Sequence, residues 1–238
     1  MKEVVVLAGG LGTRLRSVVA DRPKPMAMIA GKPFLEWQLR VLAERGATRC
    51  VLALGYLGEQ IEGHFGARFN GMQIAYSYED TPLGTGGAIA RALGSCTSDW
   101  VYVVNGDTYS TLPWPTMAGI AGKGNECVVA VTEVSNPQRY GAVVWDAATA
   151  RVHSFLEKAA IAHDTKAAWI NSGAYLLNKR AFLSRGFPER FSFEADYLQK
   201  IVAEGVLSAA PAGSDFIDIG IPEDFERAQY YLPTLFAA

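Results

Sequence analysis

Apolar runs of strand length alternate with helix-length stretches through the first half of the chain, and this rhythm limits the folds open to it. "EVVVLA", "RCVLALGY", "MQIAYSYE" and "WVYVVNGD" read as strands, rich in β-branched and aromatic residues. Between them "KPFLEWQLRVLAERGA", "GEQIEGHFGARF" and "TGGAIARALG" read as helices. In the first of these, Pro33 suits the opening turn and Gly46 the stop. Phe34, Leu35, Gln38, Leu39 and Leu42 then mark one face at helical spacing. Such alternation implies α/β, a mainly parallel sheet with helices covering both faces. After Asp107 the rhythm changes. "ECVVAVTEV", "RYGAVVWD", "ARVHSFLEK" and "AWINSGAYLLN" read as further strands, which predicts a β-richer half with antiparallel pairs. Helices return in "FEADYLQKIVAEG" and "PEDFERAQYYL", and "TLPWPTM" between the halves reads as a proline-rich loop.

The chain has 238 residues, half of them hydrophobic, enough for one sizeable core or a core with a small lobe. A net charge of −2 argues against a nucleic-acid partner, since such domains usually carry a basic excess. No run approaches the eighteen or so apolar residues of a membrane helix, so no membrane partner is expected. The chain enters a strand at once, without the layout of a signal peptide. Cys50, Cys96 and Cys127 are widely spaced, form no CxxC, and pair with none of His64, His153 and His163 as metal ligands. They fit a reduced, cytoplasmic protein.

In an open parallel sheet ligands bind beyond the carboxyl ends of the strands, and "LAGGLGTRLR" follows the first strand at such an end. Successive N–H groups of a glycine-rich turn, with the start of a following helix, make an anion cradle. The dinucleotide pattern G-x-G-x-x-G fails here, because Leu15 stands where the third glycine belongs. A nicotinamide dehydrogenase is therefore disfavoured. A Walker A loop is absent too, since Gly31-Lys32 is followed by Pro33. The loop carries Arg14, a fork of donors suited to phosphate, and "DRPKPM" follows with Lys24 between two prolines that restrict its backbone. A plain turn with surface arginines is the alternative. In "EDTPLGTGGAIARAL", Gly84, Gly86 and Gly87 would let a flat ligand approach the backbone, whereas a cap by Thr85 explains one glycine only. Asp107 closes a strand in "NGD", a natural Mg²⁺ ligand or an ordinary Asx turn. Asp215 and Asp218 flank a short apolar strand, with Gly220 and a helix begun by Pro222 after them. Asp107 and Asp218 both close short apolar strands. In a parallel sheet the carboxyl ends of neighbouring strands lie side by side, about 5 Å apart, so the two aspartates are expected to reach one cation.

In their order, "LAGGLGTRL", "PKPM", "GKPFLEW", "PLGTGG", "NGD", "FLEK", "INSGAYLL" and "FIDIGIPEDFERAQ" resemble the sugar-1-phosphate nucleotidylyltransferase family from Val4 to Leu232. "RPKPMAMIAGKPFLEWQL" and "FIDIGIPEDFERAQ" are most similar to its D-glycero-D-manno-heptose 1-phosphate guanylyltransferases. The resemblance implies a single nucleotidyltransferase domain, a three-layer α/β/α sandwich on a Rossmann-like mixed sheet. Residues 1–110 or so would form the nucleotide half and residues 111–238 the sugar-phosphate half. It implies an enzyme that joins an NTP, GTP by preference, to a sugar 1-phosphate, with Mg²⁺ as cofactor. Leu7, Ala8, Gly9 and Gly10 would contact base and ribose, Gly12, Thr13 and Arg14 the triphosphate, and Lys24 the α-phosphate. Glu79, Gly84, Thr85 and Gly86 would complete the nucleotide site, and Asp107 and Asp218 would hold the metal. Gly141, Glu157, Lys158 and Asn171 would face the sugar phosphate. Other NDP-sugar pyrophosphorylases and choline-phosphate cytidylyltransferases share the first motifs, and a non-catalytic nucleotide-sugar sensor could keep the glycine loops. Tyr230, Tyr231, Leu232, Leu235 and Phe236 make an apolar tail that would pack back on the core or meet a second copy, so a homodimer is expected.

Overall fold

The structure is a computed structural model and describes residues 2–10, 22–135, 137–156, 161–162 and 165–236. Along the chain run β1 (Glu3–Leu7), β2 (Met28–Ile29), β3 (Lys32–Pro33), α1 (Phe34–Glu44), β4 (Arg49–Leu54), α2 (Gly58–Phe65), β5 (Arg68–Phe69) and β6 (Met72–Tyr78). Then come α3 (Gly84–Leu93), β7 (Trp100–Asn105), β8 (Thr108–Ser110), α4 (Trp114–Ile120), β9 (Cys127–Val134), β10 (Ala142–Trp145), β11 (Val152–Leu156) and β12 (Ala168–Asn178). The chain closes with α5 (Lys179–Ser184), α6 (Gln199–Ala203), β13 (Leu207–Pro211), β14 (Phe216–Asp218) and α7 (Pro222–Thr234). The fold is mixed α/β with a mainly parallel central sheet, as the alternation implies. By contacts the chain forms two compact units, one of Met1–Leu83, Ala88–Tyr109 and Ile217–Ala238, the other of Gly84–Gly87 and Ser110–Phe216.

In the first unit β7, β1, β4 and β6 pair in parallel, and β5 adds antiparallel to β6. Leu7 lies beside Ala53 on one side and Asn105 on the other, so three strands finish at the same level. Val4, Val5 and Val6 are fully buried, which is why β1 reads as an unbroken apolar run. A second apolar cluster joins Ala27, Ile29, Phe34, Trp37, Tyr109, Ile217, Ile219 and Leu232. The β2–β3 hairpin is held to α1 there by the Trp37 indole N–H, which donates to the Ile29 carbonyl at 2.8 Å. The apolar tail packs back on this cluster. Leu232 is buried, Tyr231, Leu235 and Phe236 lie against it, and the Arg40 guanidinium sits 4.0 Å from the Phe236 ring centroid. Tyr230 alone of these five residues is exposed, so the tail supplies no argument for a homodimer.

In the second unit β9 pairs antiparallel with β12 and parallel with β13, and β10 and β11 form an antiparallel hairpin. The antiparallel pairs expected after Asp107 are present. Tyr175, Phe182, Phe193 and Tyr197 form a buried aromatic cluster against β12. "FEADYLQKIVAEG" is helical but begins as a wide π turn over Phe193–Leu198 before tightening into α6. "TLPWPTM" is not wholly loop. The helix α4 starts inside it at Trp114, with Pro115 in the first turn, where a missing N–H costs nothing.

Candidate functional site

Prolines shape the approach to Lys24. Pro23 precedes and Pro25 follows it, and Lys24–Met26 make a single 3₁₀ turn closed by bonds from Met26 N to Pro23 O, 2.8 Å, and from Ala27 N to Lys24 O, 3.0 Å. Pro25 and Met26 are buried, so the turn is anchored and the lysine is presented from it. Its ammonium lies 2.6 Å from Asp107 Oδ2 and 3.6 Å from Asp218 Oδ1.

Asp107 stands in the turn between β7 and β8, where the Gly106 N–H donates to the Leu7 carbonyl at 2.9 Å. Asp218 reaches it by a route other than the one the strand argument supposes. Its strand, β14, is no neighbour of β7 in the main sheet but pairs with β8, which begins one residue after Asp107. The Ile219 N–H donates to the Asp107 carbonyl at 3.1 Å, tying the two turns together. Asp224, in the first turn of α7, accepts from the Asp218 backbone N–H at 2.9 Å, and Asp218 Oδ1 accepts from Gly220 N at 2.8 Å. A Cβ on residue 220 would fall 2.6 Å from Lys24 Nζ and 2.9 Å from Asp218 Oδ1, so a glycine there leaves room for the pair. Two carboxylates around one ammonium offer hard oxygen ligands. No group of three or more His, Cys, Asp or Glu able to hold a metal occurs among the described residues. The set suits Mg²⁺, which takes one or two protein carboxylates and draws its other ligands from phosphate and water.

At the end of β1 the Ala8 N–H donates to Ala53 O at 2.9 Å, and the backbone of Gly9 runs close against Gly55. Among the described residues, nothing lies within 4 Å of where a Cβ on Gly10 would stand. The half-buried Glu79 accepts from the Leu83 N–H at 2.7 Å. Burial raises its pKa above the ordinary carboxylate value, against the opposing pull of that bond and of Arg91. Gly12, Thr13 and Arg14 lie outside the described residues.

The second glycine cluster also has a reason within the chain itself. The flat group against Gly86 is the ring of Phe191, and Gly86 N donates to Phe191 O at 3.0 Å. Gly84 has φ +72°, and a Cβ on it would fall 2.5 Å from the same carbonyl. Thr85 is no helix cap. Its hydroxyl donates to Glu194 Oε2 at 2.8 Å and accepts from Phe193 N at 2.8 Å. Glu194 in turn lines a cavity of about 240 Å³ with Tyr140, Gly141, Phe155, Asn171 and Ser192. The structure thus brings together Gly141 and Asn171, while Glu157 and Lys158 lie outside the described residues. Asn171 Nδ2 donates to the Tyr175 hydroxyl at 2.8 Å, and its Oδ1 accepts from Gly173 N at 3.0 Å. β12 slips register against β9 between Asn171 and Tyr175. A bulge of this kind re-aims side chains. Complete burial holds the Tyr175 phenol well above its usual pKa. Sequence reasoning passed over Tyr140, Phe191 and Glu194, since none carries a local pattern. Gln38 is placed on the helix face by its spacing but is given no role, although a polar residue on an apolar face is a signal.

The family model described as nucleotidyl transferase matches residues 3–234. The chain belongs to that family. It is 40% identical over 229 residues to a D-glycero-alpha-D-manno-heptose 1-phosphate guanylyltransferase of Aneurinibacillus thermoaerophilus, covering 95% of this chain and 96% of that one. A protein of the same description from Campylobacter jejuni is 39% identical, with 94% and 96% covered. The solved structure of HddC from Yersinia pseudotuberculosis complexed with GMP-PN matches with a TM-score of 0.83 at 38% identity, over 96% of this chain and 98% of that chain. This nucleotidyl transferase carries no helix among its described residues long and apolar enough to cross a membrane.

Proposed function

We propose that the protein transfers a guanylyl group from GTP to D-glycero-D-manno-heptose 1-phosphate, giving the GDP-sugar and pyrophosphate. The observation that carries the reaction class is the Lys24 ammonium held at 2.6 and 3.6 Å from two carboxylates, in a chain of this family. The heptose and guanine preferences rest on the 40% and 39% identical relatives. In this reading Leu7, Ala8, Gly9, Gly10, Gly12, Thr13, Glu79, Gly84, Thr85 and Gly86 serve the nucleotide. The segment after residue 110 serves the sugar phosphate, through Gly141, Glu157, Lys158 and Asn171. The burial of Cys50, Cys96 and Cys127 agrees with a reduced, cytoplasmic setting.

A sugar-phosphate oxygen attacks the α-phosphorus in line. One P–O bond forms, the bond to the β-phosphate oxygen breaks, and both electrons leave with pyrophosphate. The nucleophile is already an anion, so no general base is needed. The task of the chain is to gather two strongly anionic substrates and stabilise the charge that builds up between them. Arg14 grips the leaving pyrophosphate, Lys24 the α-phosphate and Lys158 the incoming phosphate, while Glu157 bonds sugar hydroxyls. Asp107 and Asp218 would hold Mg²⁺, whose chemistry here is to neutralise phosphate charge and orient the phosphates. The test is pyrophosphate release from each of the four common NTPs with a panel of sugar 1-phosphates and choline phosphate. GTP with the manno-configured heptose phosphate is expected to turn over best. Preference for CTP with choline phosphate, or UTP with an amino-sugar phosphate, overturns the substrate choice. Nucleotide binding without pyrophosphate from any pair points to a sensor.

A further inference from the structure

The inward face of α1 is apolar except at one position. Phe34, Leu35, Trp37, Leu39 and Leu42 are buried there, and Gln38 is buried among them with 6% of its surface exposed. Its amide makes two hydrogen bonds, donating to the Asn105 carbonyl at 2.8 Å and to the Thr108 carbonyl at 3.0 Å. Those carbonyls bracket Gly106 and Asp107. Its own oxygen finds no hydrogen-bond partner among the described residues.

We propose that Gln38 is the positioning residue for Asp107, a clamp that fixes both flanks of the turn carrying the carboxylate. A buried amide oxygen without a partner carries a desolvation cost, so packing alone does not account for a glutamine at this place. What its nitrogen does is specific. The −NH₂ group has two donors at a fixed angle, and it spends both on the two residues either side of a two-residue turn. Backbone bonds also hold this turn, from Gly106 N to Leu7 O and from Ile219 N to Asp107 O, and its flanks lie in strands, Asn105 beside Leu7 of β1 and β8 against β14. Gln38 is a side chain that bonds both flanks at once. The contact at stake is short, 2.6 Å from Asp107 to Lys24, and a displacement of about 1 Å at such a site costs roughly 10² in rate. The inference rests on the catalytic reading of Asp107, but the clamp itself does not.

The test is Gln38→Met, which keeps the length and removes both donors, with Gln38→Glu as a second variant should the first fail to fold. Two measurements are made on the whole chain, amide hydrogen exchange and steady-state kinetics. The expected result is exchange at residues 105–108 at least tenfold faster, with the rest of β1, β4 and β7 unchanged. Turnover should fall roughly 10- to 100-fold while KM for GTP stays within about threefold, a split that general loosening of the fold would not produce. Unchanged exchange in the turn overturns the clamp, and unchanged kcat in a folded variant overturns the positioning role. If the wild-type protein releases no pyrophosphate from any NTP, the functional reading has failed, and the exchange result alone then decides whether Gln38 holds the turn.

Discussion

Lys24→Met keeps the length of the side chain and deletes its charge. The ammonium lies 2.6 Å from one carboxylate and 3.6 Å from the other. At an effective dielectric of about 20 the gross attractions are about 6 and 5 kcal/mol. Most of that is offset by desolvation and by water, since 37% of the Asp107 side chain is exposed, against 17% for Asp218 and 14% for Lys24. An exposed pair contributes about 0–1 kcal/mol, and breaking a buried one costs about 3–5. A loss of about 2 kcal/mol fits this intermediate site, which lowers Tm by about 4–8 °C in a protein of this size. The effect on catalysis is larger, because the charge counts most when negative charge builds up on the phosphates. Removing one preorganised donor costs roughly 10²–10³ in turnover. Thermal melts in chelator and pyrophosphate release in Mg²⁺ measure the two effects separately. The bare carboxylates left by the variant should also make Mg²⁺ raise its Tm more than that of the wild type. Wild-type turnover in Lys24→Met, or an unchanged Tm in chelator, would refute the account of this cluster.

Three further outcomes are expected, two at this cluster and one at the start of β1. Gly220→Ala places a methyl group 2.6 Å from Lys24 Nζ, so turnover in the pyrophosphate assay should fall at least about tenfold while Tm moves by only a few degrees, because the lysine tip can shift. Asp107→Asn and Asp218→Asn should each remove most activity, and a chelator should abolish that of the wild type until Mg²⁺ or Mn²⁺ is restored. Full activity in excess chelator would count against the two carboxylates as metal ligands. Glu3 is buried, which opposes its charge, yet Ser98 N–H, Arg49 and Thr97 N–H bring its pKa from 4.5 down to about 2. Because the folded value lies below the unfolded one, the stabilisation, about 3 kcal/mol, is complete above about pH 5 and drains away as pH falls toward 2. Urea melts should show the wild type's advantage over Glu3→Gln shrinking across that window.

Much of this protein is written locally. Four of the five strands in the first unit's sheet are legible, β1, β4 and β7 because a strand buried on both faces must be apolar throughout, and β6 because its buried residues alternate with more exposed ones. The short edge strand β5 escapes, since two residues carry no pattern. Lys24 is legible because prolines act on the backbone beside them. What lies between segments is another matter. Asp218 meets Asp107 only because β14 pairs with the short β8, a pairing that no periodicity encodes. Gly84 and Gly86 read as room for a ligand, and nothing local tells that Phe191 also packs against them. Gln38 reads as an impurity on an apolar face until the turn it grips is seen. The tail reads as an interface until Trp37 and Arg40 are found beneath Phe236. In each case the sequence sets the chemical character of one surface, because side chains and backbone propensities are local. The tertiary structure chooses the partner, because burial rewards any complementary surface and only the folded chain decides which one arrives.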